Sequence, residues 1–262
     1  MLPIISEHIF DNLGGDKLIK NRISLYKMFL TLTVIFLVSL IFHTNAISFE
    51  LILWEHYSDG YARSFEYASE NELPLVIFFH VEEDTWSKKL AENYLTHDEV
   101  ENFLRDIPKV EINPQIGDIE FDISNRLKVN QFPALIITLP CCVIEPTRLN
   151  PFLKGGEMAP EEFIQRIKDI ITTQYSEAGN IYLKNKKYDK AVHFFEIVIE
   201  IDPNKAYGYY AMGFAYHAKS AENNEVEYVE KAMEFYEKAL EIEPGHIESR
   251  QELERLGKNF SK

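Results

Sequence analysis

The C-terminal third of the chain repeats itself. Gly179, Tyr182, Ala191, Phe195 and Pro203 follow one another at steps of 3, 9, 4 and 8, and Gly213, Tyr216, Ala232, Tyr236 and Pro244 at steps of 3, 16, 4 and 8. The two glycines lie 34 residues apart, and only one step differs, by seven residues. A fixed period of this length marks a supersecondary unit that cannot bury its apolar face alone and must stack on a neighbour. Both YDKAVHFFEIVIEIDP (188–203) and VEKAMEFYEKALEIEP (229–244) carry apolar residues on one helical face and end at a proline that stops the helix. The seven extra residues fall within HAKSAENNEVEYVEK (217–231), which predicts a longer turn or longer helix ends in the second unit, and HIESRQELERL beyond Pro244 reads as a polar capping helix.

These landmarks resemble the tetratricopeptide (TPR) repeat. The resemblance implies antiparallel helix pairs in which small residues permit close approach and aromatic residues fill the space between, with a concave face that binds peptides or protein partners. Two units are fewer than the three or more such arrays usually need, so this array should lean on another part of the chain. Residues 161–185 hold helical periodicity with no proline and one glycine, Gly179, and predict one helix, or two nearly continuous ones, shared with the preceding region. Asn180, Tyr209 and Phe214 are candidate partner-binding residues. The density of Tyr207, Tyr209, Tyr210, Phe214 and Tyr216 is compatible with both inter-helix packing and a groove lining. A clamp for a C-terminal carboxylate requires Lys and Asn together on groove-facing helices; Asn180 alone fits, and that ligand is not expected.

Upstream, the pattern changes to helices alternating with apolar strands. GYARSFEYASEN (60–71) is helical, LVIFFH (75–80) is a buried strand, TWSKKLAENYL (85–95) is helical, and Thr96-x-x-Glu99 has the form of a capping box before VENFL. KVEIN (109–113) reads as a strand, FDISNRL (121–127) as a helix, and ALIITLP (134–140) as a strand directly after Phe132-Pro133, with RLNPFLKG (148–155) as its hairpin partner. Such an order describes a small sheet covered on both faces.

The order and the segment PLVIFFH followed by a KKL helix resemble the thioredoxin fold over roughly residues 50–170. In that family the turn after the strand carries C-x-x-C at a helix N-terminus, where the helix end stabilises a thiolate. Here the four positions are Asp84-Thr85-Trp86-Ser87, and both redox cysteines are absent. A carboxylate cannot form a mixed disulfide, so the expected domain is redox-inactive and the chain is not expected to be an enzyme. Asp84 suits an N-cap that accepts from the Ser87 amide. The resemblance implies a cis bond at Phe132-Pro133, and a peptide-contact surface formed by Asp84, Trp86, Ser87, Phe132 and Pro133. His80, Glu82, Glu83 and Asp84 match no known metal-ligand spacing, and neither a metal nor any other cofactor is expected. The two cysteines, Cys141 and Cys142, are adjacent and form no C-x-x-C.

Before all this, MFLTLTVIFLVSLIF (28–42) runs fifteen residues without a charge, after Lys17, Lys20, Arg22 and Lys27. The segment reads as a signal peptide cleaved after Ala46 or as a retained membrane anchor, with residues 1–27 cytosolic and the remainder extracytoplasmic, in a periplasm or cell envelope or in a secretory lumen. Residues 1–46 carry +1 of the formal charge of −15, so the remainder carries −16. That acidity disfavours a nucleic-acid partner. The sequence thus predicts a segment 1–27, a signal or anchor helix 28–46, an α/β thioredoxin-like domain 47–170, and an all-α TPR helical-hairpin array 171–262. It predicts an exported interaction protein for a protein or peptide partner, against the alternative of a thioredoxin-family foldase, chaperone or thiol-disulfide protein.

Overall fold

The computed structural model describes residues 53–149, 152–153, 156–223 and 225–260. The expected cytosolic segment and the apolar run at 28–42 lie outside the described residues, and among these no helix is long and apolar enough to cross a membrane.

The chain enters through a short strand β1 (Glu55–His56), helix α1 (Tyr57–Glu70) and strand β2 (Leu75–Phe79). Helix α2 (Thr85–Leu90) runs on into a π-helical turn at Ala91–Leu95, and α3 (Asp98–Leu104) follows. Strand β3 (Lys109–Ile112), helix α4 (Asp118–Arg126), and strands β4 (Ala134–Thr138) and β5 (Thr147–Leu149) complete a sheet of order β1-β3-β2-β4-β5. β3 runs parallel to β1 and β2, whereas β4 is antiparallel to both β2 and β5.

Because side chains alternate across a strand, the continuous apolar runs serve two cores. Val76, Phe78, Leu135 and Ile137 face one, with Leu90, Tyr94, Leu104, Phe163, Ile167 and Ile171. Leu75, Ile77, Phe79, Ala134 and Ile136 face the other, against Ala68 of α1 and Ile123 of α4.

Two local expectations change. The capping box does not form: α3 begins at Asp98 after an N-cap at His97, and the Thr96 hydroxyl instead donates to the Glu92 carbonyl at 2.8 Å. The π turn takes up an extra residue and shifts the helix start beyond reach of Thr96. The expected hairpin partner is divided as well. β5 pairs with β4, while β6 (Phe152–Leu153) pairs with β7 (Gly156–Glu157) in a separate ribbon.

Helix α5 (Pro160–Lys184) then runs unbroken for 25 residues. It is followed by α6 (Tyr188–Ile201), α7 (Ala206–Asn223), α8 (Val226–Ile242) and α9 (Ile247–Phe260). The repeat landmarks have a steric origin. A Cβ on Gly179 would overlap the Phe195 ring, and one on Gly213 would lie 2.8 Å from the Tyr236 ring, so glycine and aromatic recur together because each pair is a helix crossing. The seven extra residues extend α7 and the start of α8, which has 17 residues against 14 in α6.

The expected boundary at 170/171 falls inside α5. Tyr175 and Ala178 of α5 and Phe194 and Val198 of α6 belong to the same buried cluster as Val76 and Leu135 of the sheet. Polar contacts reinforce the seam. Gln174 Nε2 donates to the Ile137 carbonyl at 2.9 Å, and the Tyr175 hydroxyl donates to the Glu72 carbonyl at 2.8 Å. The Glu72 carboxylate accepts from Lys190 Nζ at 2.7 Å and pairs with His193 Nε2 at 3.0 Å. Glu72 occupies a left-handed conformation, φ 55°, in the turn after α1, a position where glycine is usual. The first repeat therefore rests on the sheet, which supplies what a two-unit array lacks.

Candidate functional site

Two surfaces emerge from the residues singled out by sequence. The first is at one end of the sheet, where the turn after β2 leads into α2. Asp84 is the N-cap, and its carboxylate accepts from the Ser87 amide at 2.6 Å and from the Ser87 hydroxyl at 2.8 Å. Ser87 Oγ in turn accepts from the Val81 amide at 3.3 Å, and Ser87 is buried. A carboxylate that takes two donors from one residue is held as an acceptor inside its own turn.

Trp86 projects from this turn with half its surface exposed. Its ring lies 4.8 Å from that of Phe152, centroid to centroid, with Lys89 Nζ 5.1 Å from its centroid. The Phe132-Pro133 bond is cis. Since Phe79 pairs with Ala134, the residues after β2 and the proline before β4 lie at the same end of the sheet. Phe132 packs on the second core, and the Pro133 carbonyl accepts from Arg148 Nη2 at 3.2 Å, which also donates to the Gln131 carbonyl at 2.9 Å.

The second surface is a groove enclosing about 540 Å³ between the end of α5 and α7. Asn180, Leu183 and Lys184 line it from α5, Tyr207, Tyr210 and Phe214 from α7, Lys186 from the connection between α5 and α6, and Tyr188 from the first position of α6. Asn180 Nδ2 donates to the Tyr207 hydroxyl at 2.9 Å. Tyr210 sits centrally, its centroid 6.2 Å from Phe214, 6.1 Å from Tyr207 and 5.2 Å from the His246 ring. Burial, followed by the nearby Glu252 and Glu248 carboxylates, pushes the Tyr210 phenol up, so it stays a neutral donor.

Of the repeat residues chosen by sequence, Asn180 and Phe214 share this groove, while the half-buried Tyr209 is not part of its lining. Tyr207, Tyr210 and Phe214 keep one helical phase, three and four residues apart, and Tyr209 is out of step. The lysines were missed. Lys184 stands one turn after Asn180, and it opens the run Lys184, Lys186, Lys187, Lys190. The last three of these also line an adjoining pocket of about 450 Å³ with Tyr182, Tyr188 and Lys219. The signal was present as a basic cluster in an otherwise acidic chain.

Family models match the repeat region of the chain. Residues 179–220 match a family model described as TPR repeat, and residues 206–246 match one described as tetratricopeptide repeat. No curated protein matches the chain. Among solved structures, a thioredoxin from Thermus thermophilus matches at 13% identity, covering 46% of this chain and 89% of its own, with a TM-score of 0.37. A DsbH oxidoreductase matches at 22% identity over 45% of this chain and 82% of its own, TM-score 0.36. The first TPR of Spaghetti (RPAP3), bound to the HSP90 peptide SRMEEVD, matches at 22% identity over 35% of this chain and 94% of its own, TM-score 0.19. The chain joins a thioredoxin-like sheet to tetratricopeptide repeats. The strand order carries the first half of that statement, and the family matches with their glycine–aromatic crossings carry the second.

Proposed function

We propose that the chain is a non-catalytic adaptor that grips a peptide segment of a partner protein in the groove between α5 and α7. The observation that carries this reading is the groove lining, where three tyrosines, Phe214, Asn180 and two lysines surround a space of about 540 Å³. Aromatic faces provide contact area at low entropic cost, and Asn180, Lys184 and Lys186 provide the polar groups that fix orientation. Asp84 and Ser87 act in this reading as a helix cap rather than as a reaction centre, because their bonding groups are already directed at each other. Export of residues beyond 46, by a signal peptide or an anchor at 28–46, is part of the same proposal. It rests on the apolar run flanked by Lys17, Lys20, Arg22 and Lys27 on one side and by acidic sequence on the other.

Panning a random peptide library against the full chain tests the binding surface. Peptides selected by the unaltered protein should lose about tenfold or more in affinity when Asn180→Ala and Phe214→Ala are combined, equivalent to about 1.4 kcal/mol, and keep their affinity in Trp86→Ala. Loss in Trp86→Ala with binding intact in the groove variant would move the function to the end of the sheet. A reporter enzyme that is active only outside the cytosol, fused after residue 262, should be active, and inactivity would reject export.

A further inference from the structure

The thiols of Cys141 and Cys142 belong to neither surface. They are the only cysteines in the chain, both half-buried in the turn that follows β4, with their Sγ atoms 3.0 Å apart. The Cys142 amide donates to the Leu139 carbonyl at 3.2 Å, which folds the turn back on the strand end, and the next residue, Val143, is fully exposed. Both cysteines pack on the core that the sheet shares with α5 and α6. Cys141 also lies within electrostatic range of Glu72 and Lys190, the pair that ties the sheet to the first repeat. A cysteine that serves only packing is buried and inert, whereas these two meet solvent and each other.

We propose that Cys141 and Cys142 form a reversible dithiol–disulfide modification site at the seam between the sheet and the repeats, oxidised by low-molecular-weight disulfides such as oxidised glutathione. The Cys142 thiolate attacks one sulfur of glutathione disulfide, and the leaving glutathione thiolate takes up a proton. Cys141, losing its own proton to solvent, then attacks Cys142 Sγ in the mixed disulfide and releases the second glutathione. The cysteine pair gives up two electrons and two protons, and one glutathione disulfide becomes two glutathione thiols. The order of attack follows from the surroundings, since burial, then the neighbouring Cys142, then Glu72 push the Cys141 thiol up and leave it protonated until the mixed disulfide is beside it.

Adjacent Cα atoms are about 3.8 Å apart, shorter than the ~4.4–6.8 Å spanned by ordinary disulfides, so the ring closes under strain and is readily reopened by thiols. The site is suited to a switch and not to a permanent staple.

The full chain, reduced and freed of reductant, is incubated with oxidised glutathione and followed by intact mass and by counting thiols after unfolding. The expected product has lost two hydrogens, carries no glutathione, is not linked to a second chain, and recovers both thiols with dithiothreitol. Persistent free thiols, a stable glutathione adduct or disulfide-linked dimers would each overturn the proposal. Cys141→Ser should stop at a single glutathione adduct, and Cys142→Ser should form its adduct about tenfold more slowly. Equal rates in the two variants would overturn the assigned order of attack.

Discussion

The turn at Asp84 and the groove at Tyr210 are both places where a folded scaffold presents polar and aromatic groups to solvent, and they spend those groups differently. At the turn, the Asp84 carboxylate, the Ser87 hydroxyl and the Val81 amide satisfy one another within seven residues, and Trp86 leans on Phe152. At the groove, the Asn180–Tyr207 hydrogen bond closes across one end of the gap, and aromatic faces and two lysines surround open space. The sheet shares one buried core with the first repeat, and the open groove lies on the repeat side of that core.

The largest effect that sharpens this contrast is expected from Phe194→Ala. The ring is fully buried on α6 in the core shared with the sheet, and its removal should cost about 3–5 kcal/mol. The only tryptophans, Trp54 and Trp86, belong to the thioredoxin-like part. Their fluorescence in a denaturant titration should move with the helical signal, as one transition at a lower midpoint. A repeat signal lost while the tryptophan transition stays in place would separate the two regions.

Next is Gly213→Ala, whose methyl would press on the Tyr236 ring and the Ala232 carbonyl. A loss of about 1–3 kcal/mol, read by thermal unfolding, is expected. Asp84→Ala should cost about 1 kcal/mol as a lost helix cap and leave peptide affinity unchanged. An affinity loss there would break the contrast directly.

The smallest effect concerns Glu72. Its carboxyl is held below its ordinary range, first by the hydrogen bond from Lys190 and further by His193. A carboxyl with a depressed folded pKa stabilises above its unfolded value of 4.5 and loses that contribution as the pH falls toward the folded one. Glu72→Gln should therefore flatten the acid limb of the stability profile by less than about 1 kcal/mol, because the Lys190 side chain is half-exposed. An unchanged acid limb would show that the Glu72 contacts with Lys190 and His193 do not stabilise the seam.

Much of the architecture was legible because its causes are local. Gly179 and Gly213 recur with Phe195 and Tyr236 because only glycine fits against those rings, and such a constraint leaves a period in the sequence. The strands were legible as apolar runs because both of their faces are covered. What depends on phase and on distant partners was less so. Thr96 lost its cap to a π-helical turn that no residue pattern announced. Aromatic density alone does not separate Tyr209 from Tyr210, whereas the three-and-four spacing of Tyr207, Tyr210 and Phe214 identifies the groove face. Lys184 and Lys186 join the groove lining only because the end of α5 and the turn after it lie beside α7. The boundary at 170/171 reflects a division of sequence patterns that packing does not respect, since α5 carries one core across it.

The most direct test places a photo-crosslinking amino acid at Phe214 in one version of the full-length protein and at Trp86 in another, with both expressed in cells and irradiated. The account predicts discrete partner adducts from position 214, suppressed by Asn180→Ala, and none from position 86. Adducts from position 86 alone would contradict it and return the function to the thioredoxin-like surface.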